Sequence, residues 1–300
     1  MKLVLSRKGF DSTYGGGASP VIDGKWVISL PIEYGKFERI RRYNDLQFQG
    51  KNLGELIERL HPHRKRLDFC HLDPDLRRDI VPHRSSSDEW RPLFGQARAD
   101  ASHLTNTHGI TKGDLFLFFG LFRHSNDWNP FLSSAREFHM LHGWLQVDEV
   151  ILNPHEWAER PENHWAREHP HTYGDWTKGV PNVLFVGKRE LDIPKVSGRS
   201  AKRIPGAGCF QDFDERLVLS DLGNRLKSIW RLPACIKPDE ASGKRISRLQ
   251  NATWTIADDP NVVVMAPGKI TLWQEAVISG NHDAINWAYR LIEALGACDS

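Results

Sequence analysis

Apolar runs along the chain are separated by polar stretches rich in glycine or proline, and the period of each run predicts its element. Lys2 to Leu5 reads as a short first strand. Val21 to Ile32 (VIDGKWVISLPI) reads as a hairpin turning at Asp23-Gly24, because that dipeptide tolerates the positive φ a tight turn needs between apolar flanks. From Asn52 to Leu60 the apolar residues Leu53, Leu56, Ile57 and Leu60 recur at i, i+3, i+4 and i+7, an amphipathic helix that His61-Pro62 ends. Asp68 to Leu76 (DFCHLDPDL) is expected to be a loop entering a short helix, and Gly95 to His108 a helix or helix-loop. Leu115 to Phe119 is continuously apolar, as in a strand buried on both faces, and His142 to Leu152 predicts a second strand. The polar, aromatic loop between them, His124 to Glu137, is long, and long ordered loops are often functional. Asn182 to Lys188 predicts a further strand, Ala252 to Gly268 at most one more pair, and His282 to Leu295 an amphipathic carboxy-terminal helix. No regular βαβ rhythm emerges. The expectation is an α+β fold in one domain over residues 1–300, with a mixed, largely antiparallel sheet, a partly barrel-like core and flanking helices. Leu191 to Gly208, charged and proline-bearing, is the candidate mobile loop.

Composition narrows the class. With 300 residues, 40% of them hydrophobic, the chain can bury a sizeable core. Its longest apolar runs, such as Leu115 to Phe122, fall far short of the roughly 18 residues that cross a bilayer, and Arg7-Lys8 interrupts the first one. The expected location is therefore the cytoplasm, away from membranes. Cys70, Cys209, Cys235 and Cys298 have no paired spacing, which argues against a disulfide framework or a thiolate zinc site. A net charge of +2 neither requires nor excludes a polyanionic partner. The basic residues do cluster, from Arg39 to Arg78 and again at Lys195, Arg199, Lys202 and Arg203. Such clusters either hold phosphates or form solvated faces.

The chemistry concentrates first in Leu5 to Pro20, LSRKGFDSTYGGGASP. Neither GxxxxGK[ST] nor a helix-opening GxGxxG is present, so neither nucleotide fingerprint applies. What remains is a strand followed by Arg7, Lys8 and Asp11 on a glycine loop, where Gly15 and Gly16 would let backbone N–H groups approach an anion. Asp11 would serve as acid, base or orienting group, and Asp73 is a further candidate carboxylate. The tripeptides His61-Pro62-His63 and His169-Pro170-His171, with Cys70-His71 and Asp73-Pro74-Asp75, have the residue types of metal ligands. They lack a third and fourth partner at a recognisable spacing, so no metal is assigned and most of these histidines are read as surface or polar-network residues. Eleven tryptophans and fourteen histidines make aromatic stacking on a planar base the other candidate chemistry.

Taken together, SRKGFDS with its glycines, HLDPDL, PLFGQARADASHL leading into GDLFLFFGLFR, and LHGWLQVDEVI with the HPH that follows resemble the third type of nucleotide modification associated domain. That family is found in bacteria and phages beside systems that modify DNA bases, so the resemblance implies DNA or a nucleotide as partner and names neither a reaction nor a cofactor. The Gly113 to Phe119 turn and strand, followed by HGWLQVDEVI, is also similar to PUA-like domains of the EVE and ASCH type, which hold modified or flipped bases in an aromatic pocket. On this basis the base-contacting candidates are Gln96, His103, Phe119, Arg123, His142 and Trp144, with Arg7, Lys8, Asp11 and Asp73 completing the site. Three readings stay open: a reader of a modified base, an enzyme hydrolysing or transferring a group on a nucleotide, and a protein-interaction module with basic faces.

Overall fold

The computed structural model describes residues 1–33, 41–62, 68–82, 84, 89–126, 130–173, 179–192, 203–268 and 274–296. A ten-stranded sheet dominates it, running in order Arg245–Ile246, Glu275–Ser279, Leu3–Arg7, Leu115–Ser125, Phe138–Ile151, Asn182–Gly187, Leu93–Ala97, with three short strands joined at its sides. Leu3–Arg7 and Ser19–Ile22 run parallel to Leu115–Ser125, and the other pairings are antiparallel. Eight consecutive residues from Leu115 to Phe122 are buried, which is what a central strand covered on both faces requires of its sequence. A separate three-stranded sheet pairs Trp230–Pro233 with Val262–Ala266 and Thr253–Ile256. The architecture is thus α+β with a mixed, mostly antiparallel sheet, and no closed barrel forms among the described residues.

Both expected amphipathic helices are present. Leu53–Leu60 is capped by Asn52 and buries Leu53, Leu56, Ile57 and Leu60. His282–Leu295 is capped by Asn281, whose side chain accepts the Ala284 N–H, and it buries Ile285, Ala288, Tyr289 and Ile292 against the largest apolar cluster. The Asp23-Gly24 hairpin also forms, both residues taking positive φ.

Other expectations shift in informative ways. The two long strands extend beyond their apolar segments, to Ser125 and back to Phe138, which shortens the loop between them. Gly95 belongs to the strand Leu93–Ala97, and the helix begins only at Arg98. Asp68 to Leu76 is an extended arm bearing the two-residue strand Cys70–His71, held against Ile32–Glu33, and it leads into a short helical turn at Arg78–Ile80, as expected. Glu275–Ser279, which the periodicity missed, pairs antiparallel with the first strand. Most of the expected mobile loop, residues 193–202, lies outside the described residues, as do His63, Trp128, Trp176 and Cys298.

Candidate active site

Lys8 leaves the first strand with its N–H on the Phe119 carbonyl at 2.8 Å. A Cβ at Gly120 would stand 2.7 Å from the Lys8 carbonyl oxygen, so only glycine admits the chain there. The ammonium then lies over the Phe94 ring, 3.9 Å from Asp73 Oδ2 and 3.7 Å from Glu275 Oε1. Both carboxylates are buried. Glu275 arrives by sheet register, opposite Ser6, and also accepts a hydrogen bond from Gln96. Asp73 arrives on the extended arm, where its Oδ1 accepts the Gly95 N–H at 2.6 Å.

Three imidazoles surround Asp73. His169 Nε2 stands 3.3 Å from Oδ1, while His171 Nε2 and His71 Nε2 stand 3.9 and 4.0 Å from Oδ2. His169 and His171 come from the short helical turn after Ala166, and the His171 ring occupies the space that a side chain on Gly95 would fill. These histidines are therefore buried members of a polar network, not surface residues.

The electrostatics separate the groups into charged and neutral. Burial would raise the Asp73 carboxyl, but the His169 hydrogen bond and the Lys8 charge outweigh it, so the group is held well below the usual carboxylate range. Burial pushes His71 far down, reinforced by the neighbouring His171, and brings His171 down to about 4 against the attraction of Asp73. Glu275 moves the other way: burial raises it to about 7 despite Lys8. The interior thus presents an ionised Asp73, neutral imidazoles at His71 and His171, and a carboxyl that changes protonation near neutrality.

Lys8, His71, Asp73 and His171 line a cavity of about 420 Å³, within the range of small-molecule sites. Arg7, Asp11, Gln96 and Arg98 also line it. Arg98 has a φ of +59°, a conformation that non-glycine residues adopt at a cost and keep where surrounding structure enforces it. Arg7 pairs with Asp11 at 3.6 Å and lines a second, larger cavity as well, about 840 Å³, together with Arg136, Arg225, Lys227, Phe119, His139 and Trp230.

Of the sequence candidates, Arg7, Lys8, Asp11, Asp73 and Gln96 meet at the smaller cavity, and Phe119 walls the larger one. The others lie elsewhere. Trp144 is wholly buried, its ring against Phe210 and its N–H on the Pro205 carbonyl, so it has no face to offer a base. His142 is buried beside Phe118, His103 faces Ser247 and His108, and Arg123 holds the Leu132 carbonyl. Gly15 donates its N–H to the Glu33 carboxylate and backs onto Phe10, where a Cβ would stand 2.2 Å from the ring. Gly15 and Gly16, both at positive φ, accordingly shape a loop around Phe10, with an acidic side chain where an external anion would have bound. Sequence reasoning missed Glu275 and Arg98 entirely, and it named His71 and His171 without joining them.

A family model described as nucleotide modification associated domain 3 matches residues 2–269, and the chain belongs to that family. No curated protein and no solved structure matches it.

Proposed function

We propose that this member of the family binds a nucleotide and carries out proton-transfer chemistry on its base, in a hydrolytic or group-transfer reaction. One observation carries the reading: the Lys8 ammonium is held between two buried carboxylates, Asp73 and Glu275, three imidazoles surround Asp73, and Lys8 lines a cavity whose wall includes Arg7 and Arg98. Burying that many titratable groups costs free energy that the fold does not need, and such clusters concentrate where chemistry is done.

In this reading Arg7 and Arg98 hold phosphate, and the base enters toward Lys8. The Lys8 ammonium hydrogen-bonds an oxygen or ring nitrogen of the base and stabilises negative charge developing there. Glu275, 3.7 Å from that ammonium and titrating near neutrality, replaces a proton that Lys8 gives up. Gln96, bonded to Glu275 and lining the cavity, is placed to contact the base edge. Arg7 also lines the larger cavity, whose further basic residues would take additional phosphates.

The test is binding and turnover measured together. Calorimetry with nucleoside mono- and triphosphates and with short oligonucleotides, carrying unmodified or modified bases, is run at two salt concentrations beside mass spectrometry of the products. Expected are a base preference that survives higher salt, loss of affinity in Arg98→Ala, and loss of turnover with retained binding in Lys8→Met. Binding that vanishes with salt for every base would reduce the basic residues to nonspecific attraction and leave a protein partner as the alternative.

A further inference from the structure

The innermost groups contain an arrangement that proton transfer at Lys8 does not use. His71, Asp73 and His171, all buried, each bring one ligand atom into a cluster whose members lie within 4.8 Å of one another. Asp73 divides its oxygens between two tasks. Oδ1 takes the Gly95 N–H at 2.6 Å and faces His169 Nε2 at 3.3 Å. Oδ2 accepts no hydrogen bond from any described residue, and its titratable neighbours, Lys8 Nζ, His171 Nε2 and His71 Nε2, stand 3.9, 3.9 and 4.0 Å away.

The hydrogen bonding fixes which His171 nitrogen carries the lone pair. Asn182 Nδ2 donates to the His171 carbonyl at 2.9 Å, which leaves Asn182 Oδ1 to accept from His171 Nδ1–H at 2.7 Å. The neutral ring then carries its lone pair on Nε2, the atom aimed at Asp73 Oδ2. Both atoms are acceptors, so a cation seated between them could bind to each. A ring nitrogen tied to an oxygen acceptor, with the other nitrogen turned inward, is also how metal-ligating histidines are oriented.

We propose that His71, Asp73 and His171 bind one divalent first-row transition ion through the two imidazole Nε2 atoms and Asp73 Oδ2. Three atoms no more than 4.8 Å apart share a point within about 2.8 Å of each, so ligation at about 2.0–2.2 Å needs closure of less than an ångström per side chain. Two imidazoles and one carboxylate suit Fe²⁺ or Zn²⁺, whereas Mg²⁺ and Ca²⁺ prefer oxygen alone, and such a set leaves coordination positions open toward the cavity. Lys8 is the resident competitor. Its closer carboxylate contact is Glu275, so it stays paired when an ion takes Oδ2. The inference stands on the geometry of these side chains and does not rest on the nucleotide reading.

The experiment uses the whole chain, stripped of metal and then incubated with Zn²⁺, or with Fe²⁺ under anaerobic conditions, desalted, and assayed by elemental mass spectrometry, with Zn²⁺ titrated calorimetrically. One ion per chain is expected. Affinity should fall at least tenfold in Asp73→Asn and His171→Ala, fall about 10- to 100-fold in Asn182→Ala, which removes no ligand, and stay unchanged in His108→Ala, outside the cavity. Zn²⁺ should raise the melting temperature of the wild type and not of the ligand variants. Should Asp73→Asn fail to fold, His71→Gln and Asn182→Ala carry the comparison. Absence of bound ion in the wild type, stoichiometric binding that survives loss of His171 or Asp73, or binding seen only in Lys8→Met would each overturn the proposal, the last by making Lys8 the cation this cluster is built for.

Discussion

Replacing Gly95 with alanine tests whether the site depends on one missing side chain. The new Cβ would stand 2.2 Å from the His171 ring atoms Cγ and Cδ2 and 2.8 Å from its Cβ, against carbon contacts of about 3.5–4.0 Å. The ring must therefore retreat by more than an ångström. It has little room, being buried and tied through Nδ1 to Asn182 at 2.7 Å. Overpacking of this kind costs about 1–3 kcal/mol, a fall in Tm of roughly 2–12 °C for a chain of this size. The site should suffer more than the fold, because the retreat separates His171 Nε2 from Asp73 Oδ2, now 3.9 Å apart, and disturbs the N–H that holds Oδ1. The assay is a double-mutant cycle read by thermal melting and by Zn²⁺ and nucleotide binding. Gly95→Ala in the wild type should lower Tm and weaken both ligands, whereas in a His171→Ala background it should cost close to nothing. An equal cost in both backgrounds would show that the ring and the glycine are not coupled, and the account of how this strand forms the site would fail.

Three further outcomes follow. His139 and His142 are buried neutral, burial pushing each down to about 3; their folded values lie below the unfolded 6.5, so their stability is complete above pH 6.5 and is lost as pH falls toward 3, at about 1.4 kcal/mol per pH unit for each. Urea midpoints measured from pH 7 to 4.5 should decline steadily below 6.5, and a flat profile would refute neutral burial. Asp11→Ala removes the acceptor of the Thr13 and Tyr14 N–H groups at 2.6 and 2.7 Å and should cost about 1–2 kcal/mol in chemical denaturation, whereas Asp11→Asn keeps the turn and releases Arg7; equal stability of the two would contradict the turn's dependence on that oxygen. Trp144→Ala should lose about 3–5 kcal/mol of stability, and a variant that melts normally yet fails to bind nucleotide would return Trp144 to the site.

What the sequence revealed and what it hid divide along the range of the interactions. Elements set by local pattern were legible: the helix Leu53–Leu60 from its apolar spacing, the Asp23-Gly24 turn from residue types that accept positive φ, and the central strand from its unbroken apolar run. Glu275–Ser279 was not, because EAVIS is too short to show a period and becomes a strand only by pairing with Leu3–Arg7, some 270 residues away in sequence. The site divides the same way. Arg7, Lys8, Asp11 and Asp73 stand out as charges beside turns, and they do meet at one cavity. The histidines could not be joined by spacing, since His71 and His171 lie about one hundred residues apart and share no motif.

The strand Leu93–Ala97 is what joins them. Gly95 gives its N–H to Asp73 and its vacant side-chain volume to His171, while Ala97 pairs in register with Asn182, the residue that fixes the His171 ring. A one-residue slip of this strand would exchange Gly95 for a neighbour whose side chain points to the opposite face, removing both contacts at once. The sheet register is thus the physical origin of the site, and for that reason a sequence read residue by residue could name its members without assembling them.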